Sequence, residues 1–582
     1  MSKKRRPSTP KLSAPAARPS LAGTARPGGA AKADRYARWI LFAILFVYVF
    51  LLASRREAAY YGSVDEASYL LQARQIATQG LGPWHSADPA AYMPDNFLEV
   101  RPGEWYSKYP VGYPLLLAAL YRLGGSSAPF VLNPLCALLL VAGTFALASR
   151  LIGSRGAVLA ALLAACHPLA FLFGINALSH MSDACCVVWA MYFAWKWSED
   201  LRWSDALYAG LLAGYAVSIR YTEALLALPI LTLIFWRYRQ SRALDAASLR
   251  RFFLGAALLF AGAILGIVPL AVYNTAAFGA PWNTGYGLTH ESIAFGFAAF
   301  FDHAATALGM LNSLYFGLFL TFPMAIAGLV YLAFRRPRIA LFLALWIVPT
   351  LVVYIAYYWV ATKTASLYLR FFFSIYPALI IAALAALREA LQRWKWYAEI
   401  AAAGVLILAA AAGFADSSVQ AEITSTYQMA QFAEWAGAFA RTYVPEHSMV
   451  IADRNWANYL VYVGDCTPYS PESFNAGWVA RHAADANATG PAIYNPLRAQ
   501  RFNEALGGRT QAQLDDALRD RLRHEADRGW SAMLITLQDP QVEAAWKARL
   551  GPDWQLVRYS PKNDLRAAVY GLVPKPPPPT AP

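Results

Sequence analysis

The chain reads as a polytopic α-helical membrane protein with a small α/β region at its C-terminal end. Three observations predict this. Hydrophobic residues make up 58% of the 582 residues and mean hydropathy is +0.33, too apolar for an ordinary soluble protein. Apolar runs of about 17–25 residues recur along the sequence, the length needed to cross roughly 30 Å of hydrocarbon. Basic residues gather in alternate connections between these runs. The runs are continuous rather than alternating, which excludes a membrane barrel, and an open sheet cannot satisfy its backbone in lipid.

The formal charge of +14 suggests nucleic acid until its distribution is considered. Lys3, Lys4, Arg5, Arg6, Lys11, Arg18, Arg26 and Lys32 lie in a Pro/Ala/Gly-rich tail, residues 1–35, which cannot bury enough apolar surface to fold. Such a tail ahead of a first membrane helix is a cytoplasmic topology determinant and can touch anionic lipid. No small-residue cleavage site follows the first apolar run, so that run is expected to be an uncleaved anchor. Cys136, Cys166, Cys185 and Cys186 fall in apolar helices and Cys466 alone in the tail region, a pattern that predicts no disulfide framework.

Spans are expected at 39–54, 128–149, 155–175, 184–198, 205–219, 222–236, 252–274, 313–333, 339–359, 366–387 and 397–415. Arg150 and Arg155 sit in one connection, and Arg237, Arg239, Arg242, Arg250 and Arg251 in another. Arg335, Arg336 and Arg338 fill a third, and Arg388, Arg393 and Lys395 a fourth. The positive-inside rule places all of these in the cytoplasm, with the N-terminus. About eleven spans then leave residues 416–582 outside the inner (plasma) membrane, provided that 114–123, short for a span, is an interfacial helix.

Residues 36–415 thus form a membrane domain with two long external segments, 55–127 and 275–312, of the kind that carry function. An amphipathic helix is expected to begin at Asp65, with Ala67, Leu70, Leu71, Ala73 and Ile76 apolar beside polar Gln72, Arg74 and Gln75. Gly80 and Gly82-Pro83 should end it. From 416 to 574, strand-like runs Met449–Ala452, Met533–Ile535 and Ala567–Tyr570 alternate with helical stretches such as 511–527, which predicts an external α/β domain. Residues 575–582 are Pro-rich and expected to be disordered.

The acidic pair Asp65-Glu66 stands just after the first span, beyond residues 55–64. Ionisable residues at a membrane face are costly, so function is their default reading. By this topology Lys108, His180, Asp183, Arg220, Glu223, His290-Glu291 and Asp302-His303 share that face, and Lys363 and Arg370 lie around the start of the tenth span. Acids and bases from distant parts of the chain therefore converge. The mixture suits a reaction with an anionic leaving group, met by Arg or Lys, and an acceptor hydroxyl, met by a carboxylate base. A lipid-anchored phosphate would sit at this depth, with guanidinium as its natural fork.

Asp65-Glu66 leading a helix, followed by Lys108-Tyr109-Pro110-Val111-Gly112-Tyr113-Pro114, resembles the first external loop of GT-C glycosyltransferases. The similar branch is the bacterial one related to protein O-mannosyltransferases and lipid A aminoarabinose transferases. Leu178–Asp183, Ser218–Glu223 and Tyr273–Tyr286 fit the same pattern, and the resemblance covers roughly residues 36–390.

It implies a GT-C fold and transfer of a sugar from a polyprenyl-phosphate donor to a protein, lipid or polysaccharide acceptor outside the cytoplasm. It also implies that Asp65 is the base, Asp183 the second acid, and Lys108 and Arg220 phosphate contacts. Glu66 joins the catalytic candidates, Lys363 and Arg370 the phosphate candidates. Tyr109, His180, Tyr286 and His290 are candidate contacts to sugar or acceptor. Some relatives carry a metal-holding carboxylate immediately before the lysine; this chain has Ser107 there, which argues against a metal site of that type and leaves a divalent metal joined by His180 or His290 as the alternative.

Other readings of the same residues stand beside these. Asp65 and Asp183 suit helix caps, Lys108 a snorkelling anchor and Arg220 a helix end. A transporter or flippase of lipid-linked sugars is the rival function, although no internal repeat is evident and the charges lie at one face rather than at the midplane.

Overall fold

The structure, a computed structural model, describes residues 27–54, 63–242, 245–289, 291, 295–357, 365–391, 396–463, 466–485, 496–536, 539–561 and 567–575. Lys363 and His290, most of the basic N-terminal tail and residues 576–582 lie outside the described residues.

Each expected span meets a helix. The principal ones are Pro27–Ser54, Leu132–Ala165, Pro168–Ile175, His180–Asp200, Trp203–Ile219, Ala227–Arg242, Ala246–Phe278, Thr321–Arg335, Pro337–Ile355, Tyr376–Ala390 and Trp396–Ala415. By length and composition, six helices among the described residues could cross a membrane, or seven if the bent pair Pro168–Ile175 and His180–Asp200 is one span. The expected eleven therefore includes helices too short or too polar to qualify alone, such as Ala227–Arg242. The expected spans 128–149 and 155–175 are joined through a break at Gly153, whose φ of 78° and ψ of 172° interrupt a continuous helical run.

The basic connections meet at one end of the bundle. Arg336 donates to the Leu151 carbonyl at 3.4 Å, Arg150 pairs with Glu199 at 3.1 Å, and Arg338 donates to Ser198 Oγ at 2.6 Å. Asp183 and Glu199 sit at opposite ends of the same 21-residue helix, so the Asp183 end is the other face. The Trp203–Ile219 and Ala246–Phe278 helices pack almost backbone to backbone. A Cβ at Gly210 would overlap the Leu259 carbonyl oxygen, and one at Gly262 would fall 2.5 Å from that of Leu207. Small residues permit this close approach, and it fixes where Arg220 emerges.

Between the first two membrane helices the chain builds a small folded segment of its own. Val64–Gln79 is a helix, and Gly112–Gly124 is a second, as expected for 114–123. Between them stands a three-stranded antiparallel sheet that the sequence pattern does not predict, in the order Trp84–His85, Glu104–Ser107, Phe97–Arg101. The amphipathic expectation for Val64–Gln79 is corrected: Gln72 and Gln75 are buried along with its apolar face. The C-terminal region packs against this helix, where Arg74 donates to the Val461 carbonyl at 2.7 Å.

That region begins with the Ser417–Tyr443 helix and holds a five-stranded mixed sheet. Cys466–Tyr469, Ser448–Ile451 and Ser531–Thr536 run parallel, and Ala568–Pro574 and Trp554–Arg558 complete the order antiparallel. Met449 and Ile451 pack on one face, Val450 and Ala452 on the other, the alternation of a strand covered on both sides. Of the five strands, Cys466–Tyr469 and Trp554–Arg558 escape prediction; in Cys466–Tyr469 Pro468 breaks the pattern, and proline is tolerated there at a sheet edge. The first loop docks on that edge. Tyr92 N–H donates to the Pro468 carbonyl at 2.8 Å, Arg521 grips Asp88 at 2.6 and 3.1 Å, and Arg454 grips Asp95 at 2.9 Å.

Candidate active site

Asp65 stands in the first turn of Val64–Gln79, but it is not the cap. Ser63 is the N-cap: its hydroxyl accepts from Glu66 N–H at 3.3 Å and donates to Glu66 Oε2 at 3.1 Å, a reciprocal arrangement akin to a capping box. Glu66 Oε1 also accepts from Ala177 N–H at 2.8 Å. Its carboxylate thus ties the helix start to the 176–179 turn and does not line the cavity. Asp65 is left to point the other way.

It points into a cavity of about 410 Å³ lined by residues from distant parts of the membrane domain. Asp65 Oδ2 lies 2.9 Å from Arg370 Nη1, while Oδ1 accepts from the Tyr109 hydroxyl at 2.6 Å and from Asn96 Nδ2 at 3.4 Å. Burial pushes the Asp65 carboxyl up, but Arg370, the Tyr109 hydrogen bond and Lys108 outweigh it and hold the group below its ordinary value. The side chain is 24% exposed, an opening onto the cavity rather than onto bulk water.

Lys108 is positioned by the new sheet. It follows Glu104–Ser107 directly, its N–H donates to the Asn96 carbonyl at 2.8 Å, and Tyr273 holds the preceding Ser107 carbonyl at 2.6 Å. Lys108 Nζ lies 2.7 Å from Glu291 Oε1, with both side chains almost fully buried. A buried charge needs such a partner. The lysine sits over the rings of Tyr109 and Tyr286 at 5.6 and 5.5 Å. In sequence Glu291 is only one acid of the second loop; nothing in local pattern marks it as the lysine's partner.

Arg220 leaves the end of Trp203–Ile219 with extended backbone, φ −146° and ψ 121°. Its Nη2 donates to the Tyr354 hydroxyl at 2.7 Å, which is 2.6 Å from Thr222 Oγ1. Asp183 Oδ2 is 3.7 Å from Arg220 Nε. Asp183 lies behind the arginine, off the cavity wall, with the Glu223 carboxyl beside it. Arg220 and Arg370 both lie against the Phe371 ring, at 5.5 and 5.1 Å. His180 also borders the cavity, stacked on Phe173 at 5.3 Å, and neither of its ring nitrogens has a partner among the described residues.

Of the residues singled out from sequence, Asp65, Lys108, Tyr109, His180, Arg220, Tyr286 and Arg370 line one cavity. Glu66 and Asp183 stand outside it. Sequence reasoning missed Asn96 and Tyr354, which also line it; they are uncharged and sit in runs that read as loop or span. No group of three or more His, Cys, Asp or Glu among the described residues is arranged to hold a metal ion. His180 faces Arg220 and Arg370, a setting for an anion rather than a cation.

Comparison with known proteins agrees with this architecture. Residues 108–265 match the family model described as dolichyl-phosphate-mannose-protein mannosyltransferase. The crystal structure of ArnT from Cupriavidus metallidurans in the apo state superposes over 93% of this chain and 98% of its own, with 14% identity and a TM-score of 0.52. The same protein bound to undecaprenyl phosphate covers 91% and 97%, with 15% identity and a TM-score of 0.54. The chain has the GT-C fold. The segment similar to the dolichyl-phosphate-mannose-protein mannosyltransferase model carries Lys108, Tyr109, His180, Asp183, Arg220 and Glu223. No curated protein matches the chain in sequence.

Proposed function

We propose that this GT-C protein is an inverting glycosyltransferase that moves a sugar from a polyprenyl phosphate to the hydroxyl of an extracytoplasmic acceptor. One observation carries the reading: a single cavity sets the Asp65 carboxylate against Arg220, Arg370 and His180, whose ring has no hydrogen-bond partner among the described residues. The carboxylate is the acceptor's side and the cations the leaving group's side. The undecaprenyl phosphate bound by ArnT is the ligand class such cations fit.

In this mechanism the lipid phosphate rests between Arg220, Arg370 and His180, with Tyr286 and Lys108 beside the sugar. Asp65 takes the proton of the acceptor hydroxyl as that oxygen bonds to the anomeric carbon. The bond from that carbon to the phosphate oxygen breaks, and the phosphate leaves with the electron pair. One displacement inverts the anomeric centre. The charge that develops on the leaving oxygen meets donors already fixed in place, so little reorganisation is needed. Glu66 and Asp183 act from behind, holding the helix start and Arg220. The positive-inside pattern supports an extracytoplasmic position for this face, where the C-terminal region would present the acceptor.

The test is to incubate the purified full-length protein with labelled undecaprenyl-phosphate monosaccharide, and separately with a diphosphate-linked glycan. Transfer or hydrolysis with release of undecaprenyl phosphate from the first alone is expected. Use of the diphosphate donor alone, or movement of the intact lipid-linked sugar across a vesicle bilayer without bond cleavage, would contradict it.

A further inference from the structure

Behind Arg220, off the cavity wall, two carboxyl groups from different helical elements interact electrostatically with each other and with Arg220. Asp183 comes from the first turn of His180–Asp200 and Glu223 from the turn Tyr221–Leu226; they are 2% and 3% exposed. Glu223 Oε1 accepts from Ser374 Oγ at 3.3 Å. Asp183 Oδ2 faces Arg220 Nε at 3.7 Å, which leaves Asp183 Oδ1 buried with no donor among the described residues except through the carboxyl of Glu223. Two ionised carboxylates cannot hydrogen-bond one another, and like charges this close in a buried site do not both ionise. One proton between them satisfies the orphaned oxygen.

We infer that Glu223 is a positioning residue: by sharing a proton with Asp183 it limits the negative charge set against Arg220, so that the guanidinium is held but not neutralised. The geometry of Arg220 fits this. Its contact with Asp183 is loose at 3.7 Å, whereas its tight bond is to the neutral Tyr354 hydroxyl at 2.7 Å. A lone carboxylate would draw the arginine back into a close bidentate pair and take it from the cavity. Two ionised carboxylates would cancel it and leave excess negative charge behind an anion site. The groups facing the pair are Arg220, Tyr354, Ser374 and Cys186, and Arg220 is the cation among them.

This inference rests on the reading of the cavity as a lipid-phosphate site and is tested by binding, without a sugar or an acceptor. Affinity of the detergent-purified full chain for undecaprenyl phosphate is measured from about pH 7 upward, with undecaprenol as the uncharged control. In the wild type, affinity should fall at least about fivefold on the alkaline side as the pair loses its proton. Glu223→Gln donates to Asp183 as the protonated acid does and has no proton to lose. It should bind within about threefold of wild type at neutral pH and lack the alkaline fall. Glu223→Ala, which leaves Asp183 alone with Arg220, should bind at least about tenfold more weakly. The lipid phosphate's own ionisation is common to all three proteins.

Glu223→Gln as weak as Glu223→Ala at neutral pH, or keeping the wild-type alkaline fall, overturns the shared proton. A wild type that binds undecaprenol as well as undecaprenyl phosphate overturns the phosphate site itself, a separate failure. Thermal unfolding of each variant keeps loss of fold distinct from loss of binding.

Discussion

Arg370 Nη1 lies 2.9 Å from Asp65 Oδ2, across 305 positions of sequence. This contact joins the two halves of the chemistry, because the base that would take the acceptor's proton is paired in the free protein with a cation that would meet the donor's phosphate. Arriving phosphate competes with Asp65 for Arg370, and the pair loosens as donor binds. Proton affinity at Asp65 would then rise as the acceptor arrives.

The pH dependence follows from the same contacts. Asp65 is held below its ordinary value, so its ionised form persists at neutral pH and is lost only as pH falls through that lowered value. Tyr109→Phe removes the hydroxyl that donates at 2.6 Å and keeps the ring. The acid limb of kcat/KM should move upward in pH. A limb that stays put or moves downward would show that Asp65 is not the titrating base.

Lys108 and Glu291 give a stability prediction. Their side chains are 5% and 6% exposed at 2.7 Å separation. Glu291→Ala leaves the lysine charge buried without its carboxylate and should cost about 3–5 kcal/mol, read as a large fall in thermal midpoint in detergent. An unchanged midpoint would mean that the lysine reaches solvent or another partner.

The docking of the first loop on the C-terminal region is tested by Arg521→Ala. Arg521 makes two contacts with Asp88, both partly buried. Loss should cost about 1–2 kcal/mol after allowance for solvent screening. Faster hydrogen exchange should concentrate at Ala90–Tyr92, whose backbone meets Tyr469 and Pro468. Uniform exchange, unchanged from wild type, would remove this contact as a lock.

Gly285 makes a fourth case. A Cβ there would overlap the Lys108 Cα and sit 2.6 Å from its carbonyl oxygen, both backbone atoms that cannot swing aside. Gly285→Ala should therefore displace the backbone that carries Lys108, costing about 1–3 kcal/mol and lowering turnover with it. Full activity and stability would show that the second loop gives way freely.

Much of this arrangement is legible in the sequence, for a physical reason. Membrane spans declare themselves by length and apolarity, and charges at their ends are too costly to be incidental. Asp65, Lys108, Arg220 and Arg370 therefore stand out from residue type and position alone. Their pairings do not. Whether Lys108 is free or matched by Glu291, and whether Asp183 meets the cavity or stands behind Arg220 with Glu223, depends on contacts between distant segments that no local period encodes. Gln72 and Gln75 mislead for a related reason: polar spacing suggests a wet face, and tertiary packing buries it.

The most direct test of the central claim is single turnover on bound undecaprenyl-phosphate sugar with Asp65→Asn, which keeps the shape of the side chain and loses its basicity. Undecaprenyl phosphate affinity should stay within about tenfold of wild type, and sugar transfer should slow by about 10²–10⁴-fold. Transfer at near wild-type rate by Asp65→Asn would contradict that claim.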